Sequence, residues 1–291
     1  PLALIFAFIA IIAGPHIHMV AAKASGFLEV AAFVSFGGAV YGFATGWSSY
    51  AADYNVNQPE ETPASRIFWL TFLGVLIPCV LLEILGMALT TGYTGGGGDL
   101  LAAVLKPLGA LGTVLLAILA LSIVANNIPN EYSLGLTMQV LGKAFQRVNR
   151  AIWTLIGAIV YVVIAITIAG NFNATLDSFL LLVAYWLGPW SIILILENFV
   201  FRHGHYNVDD WNTPSRLPVG WAAIVSMLIG LFGAYLGASQ TFIINNNFYP
   251  LMGPIAAQLS GMDIGFELGV VFAAIAYLIL RRVELNVNKG R

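Results

Sequence analysis

Residues 122–137 read SIVANNIPNEYSLGLT and carry Ser122, Asn126, Asn130, Ser133 and Thr137 at spacings of four, four, three and four. Those offsets place all five on one face of an α-helix. Asn127 and Glu131, also four apart, form an adjoining strip. Asparagine offers a donor and an acceptor at a single position. Pro129 has no N–H, so it leaves the carbonyl of Ala125 as an acceptor that the helix does not use. Such a stripe suits a planar ligand whose edge alternates donors and acceptors. The competing reading is that these groups bond neighbouring helices together. Five on one face beside a proline favour a ligand or a water-filled pathway.

The chain around that stripe is 59 % hydrophobic and 9 % charged, with a mean hydropathy of +0.86. A soluble domain carries roughly 25 % charged residues. The composition therefore defines an integral membrane protein, with the lipid bilayer as its obligatory surrounding. A net charge of -2 says nothing about nucleic acid, but no basic tract is long enough to bind phosphate, so no nucleic-acid partner is expected. The single cysteine, Cys79, excludes an internal disulfide and a cysteine-based zinc site. His16, His18, His203 and His205 fall in loops or at span ends, so no metal and no cofactor is expected. There is no HExxH, no GxSxG and no phosphate-binding glycine loop, which argues against an enzyme.

Apolar runs fall at 1–14, 28–52, 67–91, 108–141, 151–170, 176–201, 219–240 and 264–280. They predict an all-α polytopic membrane protein of eight spans in a single transmembrane domain over 1–291. The first run holds only fourteen residues before the PHIH turn. A span needs ~20 residues, so it reads as truncated and the chain as lacking N-terminal helices. Ten of the twelve Lys and Arg residues lie in the separators after spans two, four and six and in the tail. Lys23 and Lys106 are the two on the other side. The positive-inside rule places the ten, and the C-terminus, in the cytoplasm. The sequon at Asn173-Ala174-Thr175 then faces outward, as glycosylation requires.

Span two repeats glycine at 38, 42 and 46. Two readings compete: close helix packing through small-xxx-small spacing, and a helix unwound where it lines a cavity. Trp47 follows directly. It suits an interfacial belt, or a flat face for stacking beside a helix break. Intramembrane acids mark ion or proton pathways. Glu197 and Glu267 lie near span ends, where solvation is easy, whereas Glu83 lies deeper.

GFATGWSSYAADYNV, RIFWLTFLGVLIPCVLLEILGMAL, ANNIPNEYSLGLTMQVLGKAFQRVNRAIWTLIG and YNVDDWNTPSRLP resemble the fungal purine–cytosine permeases. These form the Fcy-like branch of the nucleobase:cation symporter-1 family. The resemblance implies a five-plus-five inverted repeat with two further helices, of which the spans here would be helices 5–12. It implies a plasma-membrane transporter for cytosine, adenine, guanine and hypoxanthine. It also implies that Trp47 stacks on the base, that Asn130 bonds its edge, that Pro129 shapes the local backbone, and that Asn126 is a second polar contact. Relatives in the branch that carry vitamin B6 compounds give one alternative, and a non-transporting scaffold another. Sodium-coupled relatives place hydroxyls just before the asparagine pair, where Val124 and Ala125 stand in this chain. The expectation is therefore proton symport, with Glu83 and Glu131 as candidate proton-coupling acids.

Overall fold

A computed structural model describes residues 2–21, 25–56, 58–210, 213, 217–244 and 247–289. Side chains at 50, 54, 171–174, 208, 242–244 and 288–289 are not described, so the Asn173 sequon lies outside the described residues. The helices in chain order are α1 (Leu2–Ala13), α2 (Phe27–Thr45), α3 (Ala51–Asn55), α4 (Ala64–Gly92), α5 (Gly98–Leu105) and α6 (Ala110–Val140). They continue with α7 (Lys143–Gln146), α8 (Arg150–Ile168), α9 (Phe172–Leu196), α10 (Trp221–Gly237), α11 (Pro254–Gln258) and α12 (Gly265–Lys289). Each predicted apolar run contains most of one of these helices. Among the described residues, five segments are long and apolar enough to cross a membrane: Phe27–Thr45, Ala64–Gly92, Ala110–Val140, Arg150–Ile168 and Thr175–Phe201. The chain is a multi-pass, mostly helical membrane protein. The helices Leu2–His16 and Trp221–Gly237 are apolar but shorter.

The fold is not purely helical. Strand β1 (Ser239–Ile244) pairs antiparallel with β2 (Asn247–Met252), from Ser239 opposite Met252 to Ile244 opposite Asn247. The sequence reading carried span seven to residue 240 and took NNNFYPLMGP as a plain loop. Thr, Phe and Ile before the asparagines and Phe and Tyr after them favour extended backbone. Two residues separate the paired ends, the spacing of a tight hairpin. Pro250 is tolerated because a two-stranded sheet leaves each strand one unpaired edge.

The chain folds into two compact units, residues 1–22 with 49–173 and residues 23–48 with 174–291. In the first, Ile9, Ala13, Leu89, Val104, Leu105 and Leu119 from α1, α4, α5 and α6 form the buried core. Helix α8 lies against α6 at two glycines. A Cβ on Gly135 would come within 3.0 Å of Thr154 Oγ1, and one on Gly157 would collide with Leu134.

In the second unit, Ala39, Leu181, Tyr185, Ala234 and Ala238 form one core and Ile193, Ala222, Ala273 and Tyr277 another. Gly230 of α10 sits against Pro189 and Ala273, and Gly233 against Phe272. These contacts let α10 and α12 run close together.

Helix α2 ends at Thr45, seven residues before the predicted end of span two at 52. Thr45 Oγ1 donates to the Tyr41 carbonyl at 2.6 Å and Ser48 Oγ to the Thr45 carbonyl at 2.5 Å. Hydroxyls that bond the last turn's carbonyls compete with the helical ladder and help to end it. The chain turns at Gly46–Trp47, passes a 3₁₀ turn at Ser48–Tyr50 and re-enters helix at α3. The two readings of the glycine run thus divide along it. Gly38 and Gly42 lie inside a continuous helix, packed on Leu181 and Leu180, and the break falls at Gly46.

A Cβ at Gly42 would collide with the carbonyl oxygen of Leu180. Gly42→Leu must therefore push α2 and α9 apart, at a cost of ~1–3 kcal/mol. A fall in the thermal midpoint of the purified whole protein, without one in Gly37→Leu, checks this, since a Cβ at Gly37 meets nothing within 4 Å.

Candidate functional site

Helix α6 positions the polar stripe. It runs unbroken through Pro129 from Ala110 to Val140, so its side chains keep helical spacing throughout. Below Pro129 the stripe opens on a cavity of about 330 Å³ lined by Asn127, Asn130, Glu131, Ser133, Leu134, Thr137 and, from α8, Tyr161. That volume lies at the lower end of the ~300–1,000 Å³ range of small-molecule sites. Both strips read from the sequence meet in this one cavity. Three of the five stripe residues line it: Asn130, Ser133 and Thr137. Asn126 is exposed and lies outside, and Ser122 donates to the Leu119 carbonyl at 2.6 Å.

The polar groups form a directed chain. Asn127 Nδ2 donates to Glu131 Oε1 at 3.0 Å, and Asn130 Nδ2 donates to Asn127 Oδ1 at 3.0 Å. Glu131 Oε2 is buried and has no hydrogen-bond partner among the described residues. Thr154 Oγ1 donates to the Glu131 backbone carbonyl at 3.2 Å and joins α8 to this turn. Ser133 Oγ donates to Asp53 Oδ2 at 2.5 Å, which ties α3 to the cavity. Arg150 stands 5.7 Å from the Tyr132 ring centroid.

Of the other sequence-predicted residues, Trp47 is half-buried and sits in the turn that breaks the helix after α2. It belongs to the second unit, whereas the asparagines belong to the first. Glu83 is half-buried on α4 and lines no part of the cavity. Tyr161 and Asp53 were not singled out from the sequence. Tyr161 had a signal: it follows Thr154 by seven residues, two helical turns, within an otherwise apolar run. Asp53 had none, because an acid beyond a span end is ordinary.

Two further buried polar clusters lie in the second unit, and both are saturated. Asp263 is 3 % exposed. Its Oδ2 accepts from Ser239 N at 2.8 Å, Gln240 Nε2 at 2.7 Å and the Tyr185 hydroxyl, and its Oδ1 from Gly265 N at 3.1 Å. Glu197, expected near solvent, instead binds Arg281 at 2.5 Å and Arg202 at 2.7 Å and accepts from Tyr277 at 2.9 Å. Arg281 also holds Glu284 at 2.8 Å. With their valences filled, these clusters fasten helices rather than await a ligand. Among the described residues, no group of three or more His, Cys, Asp or Glu could hold a metal ion.

The helices and the cavity define a multi-pass membrane protein with a polar recess of small-molecule size beside the long helix α6. The chain belongs to the family described as permease for cytosine/purines, uracil, thiamine, allantoin, whose profile matches residues 2–269. It is 46 % identical over 272 residues to the purine-cytosine permease fcyB of Emericella nidulans, covering 89 % of this chain and 52 % of that protein. It is 36 % identical over 270 residues to the purine-cytosine permease FCY21 of Saccharomyces cerevisiae, covering 87 % of this chain and 50 % of that protein. The vitamin B6 transporter TPN1 of Saccharomyces cerevisiae is more distant, 27 % identical over 315 residues, covering 87 % of this chain and 53 % of that protein. The chain spans about half the length of the curated relatives it matches. All three are named as permeases or transporters and none as an enzyme. No solved structure matches.

Ser133 is 4 % exposed, and its hydroxyl is the donor to Asp53. Ser133→Ala should cost ~1–3 kcal/mol, because it strips a carboxylate of a charge-assisted bond. The thermal midpoint of the purified whole protein measures this loss. Ser133→Thr, which keeps the hydroxyl, should recover part of it.

Proposed function

We propose that this chain is part of a secondary active transporter that imports purines and cytosine across the plasma membrane by proton symport. The observation that carries the reading is the recess beside α6, where two amides and a carboxylate form one hydrogen-bonded line. Cytosine, adenine, guanine and hypoxanthine are flat and neutral and carry donors and acceptors on their edges, which amides match in both senses. Membership of a family described for cytosine and purines supports the same substrates.

In this reading all eight apolar runs cross the membrane as helices 5–12 of a five-plus-five inverted repeat. Residues 1–291 form a single transporter domain, with the basic separators and the C-terminus in the cytoplasm. Asn130 bonds the base edge, and Asn126, one turn earlier, is a secondary polar contact. Pro129 keeps a donor from the Ala125 carbonyl. Trp47, at the helix break, supplies a stacking face worth ~0.5–1.5 kcal/mol beyond burial. Glu131 carries the proton in preference to Glu83, because it lines the recess and holds a buried oxygen that no described residue bonds. A vitamin B6 substrate is the second reading, favoured only by the 27 % identical relative.

Uptake of radiolabelled adenine by cells expressing the whole protein tests the substrate class. Excess unlabelled cytosine should suppress it and pyridoxine should not; the reverse pattern would select the B6 reading. Asn130→Ala should weaken apparent affinity ~5- to 150-fold at normal surface expression, the equivalent of ~1–3 kcal/mol. Trp47→Ala should also weaken it, and Trp47→Phe should do so less. Unchanged affinity in Asn130→Ala would remove the recess from substrate binding.

The coupling ion has its own readout. Uptake should fall as external pH rises and persist when choline replaces sodium. Uptake that requires sodium and ignores pH would overturn proton symport.

A further inference from the structure

Helices α6 and α8 are consecutive and both long and apolar enough to cross a membrane, so the short connection between them, residues 141–149, lies at a membrane surface. That connection is folded and tied to both helices. Gln139 Nε2 of α6 donates to the Val148 carbonyl at 3.2 Å, and Trp153 Nε1 of α8 donates to the Phe145 carbonyl at 3.2 Å. The Phe145 and Trp153 rings stack with centroids 5.2 Å apart, and Ala151 N donates to Asn149 Oδ1 at 2.9 Å.

The fixed loop holds Lys143 and Arg147 exposed, and Arg150, also exposed, opens α8. Their charge is not balanced. The sequence has no acid between Glu131 and Asp177. Glu60 and Glu61, on the connection before α4, form no ion pair with the three cations, and Asp53 takes its bond from Ser133. Arg202 and Arg281 are spent on Glu197 and Glu284, whereas Lys143, Arg147 and Arg150 make no ion pair among the described residues. Arg150 stands over the Tyr132 ring, which leaves its charge intact.

Apolar surface ends where these cations begin. Val140 and Leu141, 81 % and 62 % exposed, lead into the loop, and Ile152 and Leu155, 50 % and 60 % exposed, follow it. A phospholipid matches both parts, since its acyl chains cover the apolar residues and its headgroup meets the cations. A soluble acidic peptide would satisfy the cations and leave Val140 and Leu141 bare. We propose that the α6–α8 connection is a docking surface for the anionic headgroups of phospholipids. The inference does not depend on which substrate the protein carries. It fits the orientation proposed above, in which the loop faces the cytoplasmic leaflet, where anionic lipid is concentrated.

Photoactivatable phosphatidylserine and photoactivatable phosphatidylcholine test this on the purified whole protein in phosphatidylcholine nanodiscs, with crosslinks mapped by mass spectrometry. Both leaflets of the disc are alike, so the result is independent of orientation. Phosphatidylserine should label residues 141–153 well above phosphatidylcholine, and should not favour the paired Arg202 segment. Unlabelled phosphatidylserine should displace it, and inorganic phosphate should not. Raising salt to about 1 M, where screening acts within about 3 Å, should weaken it. Apparent affinity, read from the displacement, should fall about fivefold for each charge removed in Lys143→Gln and Arg147→Gln, the factor for one cation at an anionic surface. Lys143→Arg, which keeps the charge, should label as the unaltered protein does. Equal labelling by the two lipids, or labelling indifferent to salt and to both neutral variants, would overturn the proposal. So would labelling that soluble polyglutamate removes and phosphatidylserine does not, which would assign the surface to an acidic protein.

Discussion

In a bilayer, a backbone N–H or C=O released by an interrupted helix has no water to bond and must be met from within the protein. The arrangement of the second unit follows from that demand. Between α10 and α12 the chain runs through a hairpin and the short helix α11, and Asp263 takes up the amides at both ends of the excursion, Ser239 and Gly265. The hairpin between them pairs its own strands. At the start of α10, Glu284 accepts from Gly220 N at 2.7 Å. A buried carboxylate is costly alone. Glu284 has Arg281 beside it, and Asp263 has four donors.

The first unit uses the same groups with a different balance. Its long helix is uninterrupted, so the amides and carboxylate on α6 are not needed as caps. Asn127, Asn130 and Glu131 bond to one another, and one carboxylate oxygen is left over in a recess. Saturated acids in one unit and an unsaturated one in the other separate fastening from recognition more sharply than residue type does.

The helices were legible because lipid imposes a simple rule, a long run of apolar residues, and each of the eight runs contains a helix, five of them among the described residues long and apolar enough to span. The stripe on α6 was legible because spacing alone fixes a helical face. Three things were not. The hairpin at Ser239–Met252 depends on β-branched and aromatic residues that look the same as lipid-facing ones. The end of α2 at Thr45 turns on hydroxyl bonds to carbonyls one turn back, which no window average registers. Glu197 looked solvated because its distance along the helix was readable and the arrival of Arg281, 84 residues later, was not.

Helix α8 shows how narrowly a membrane helix can be specified. No described residue on it is buried, and its ties to α6 run through Arg150, Thr154, Gly157 and the recess-lining Tyr161, at offsets of four, three and four along one stripe. The rest of the helix, with Ile156, Ile159, Val160, Val162, Val163 and Ile166 well exposed, is asked only to be greasy. Interchange among isoleucine, valine and leucine there leaves both lipid solvation and helix geometry nearly untouched. The sequence of α8 is thus free to drift on most of its circumference and is pinned along one thin line. A library randomised over this helix would return its information almost entirely along that line and at Trp153, whose Nε1 donates to the Phe145 carbonyl at 3.2 Å.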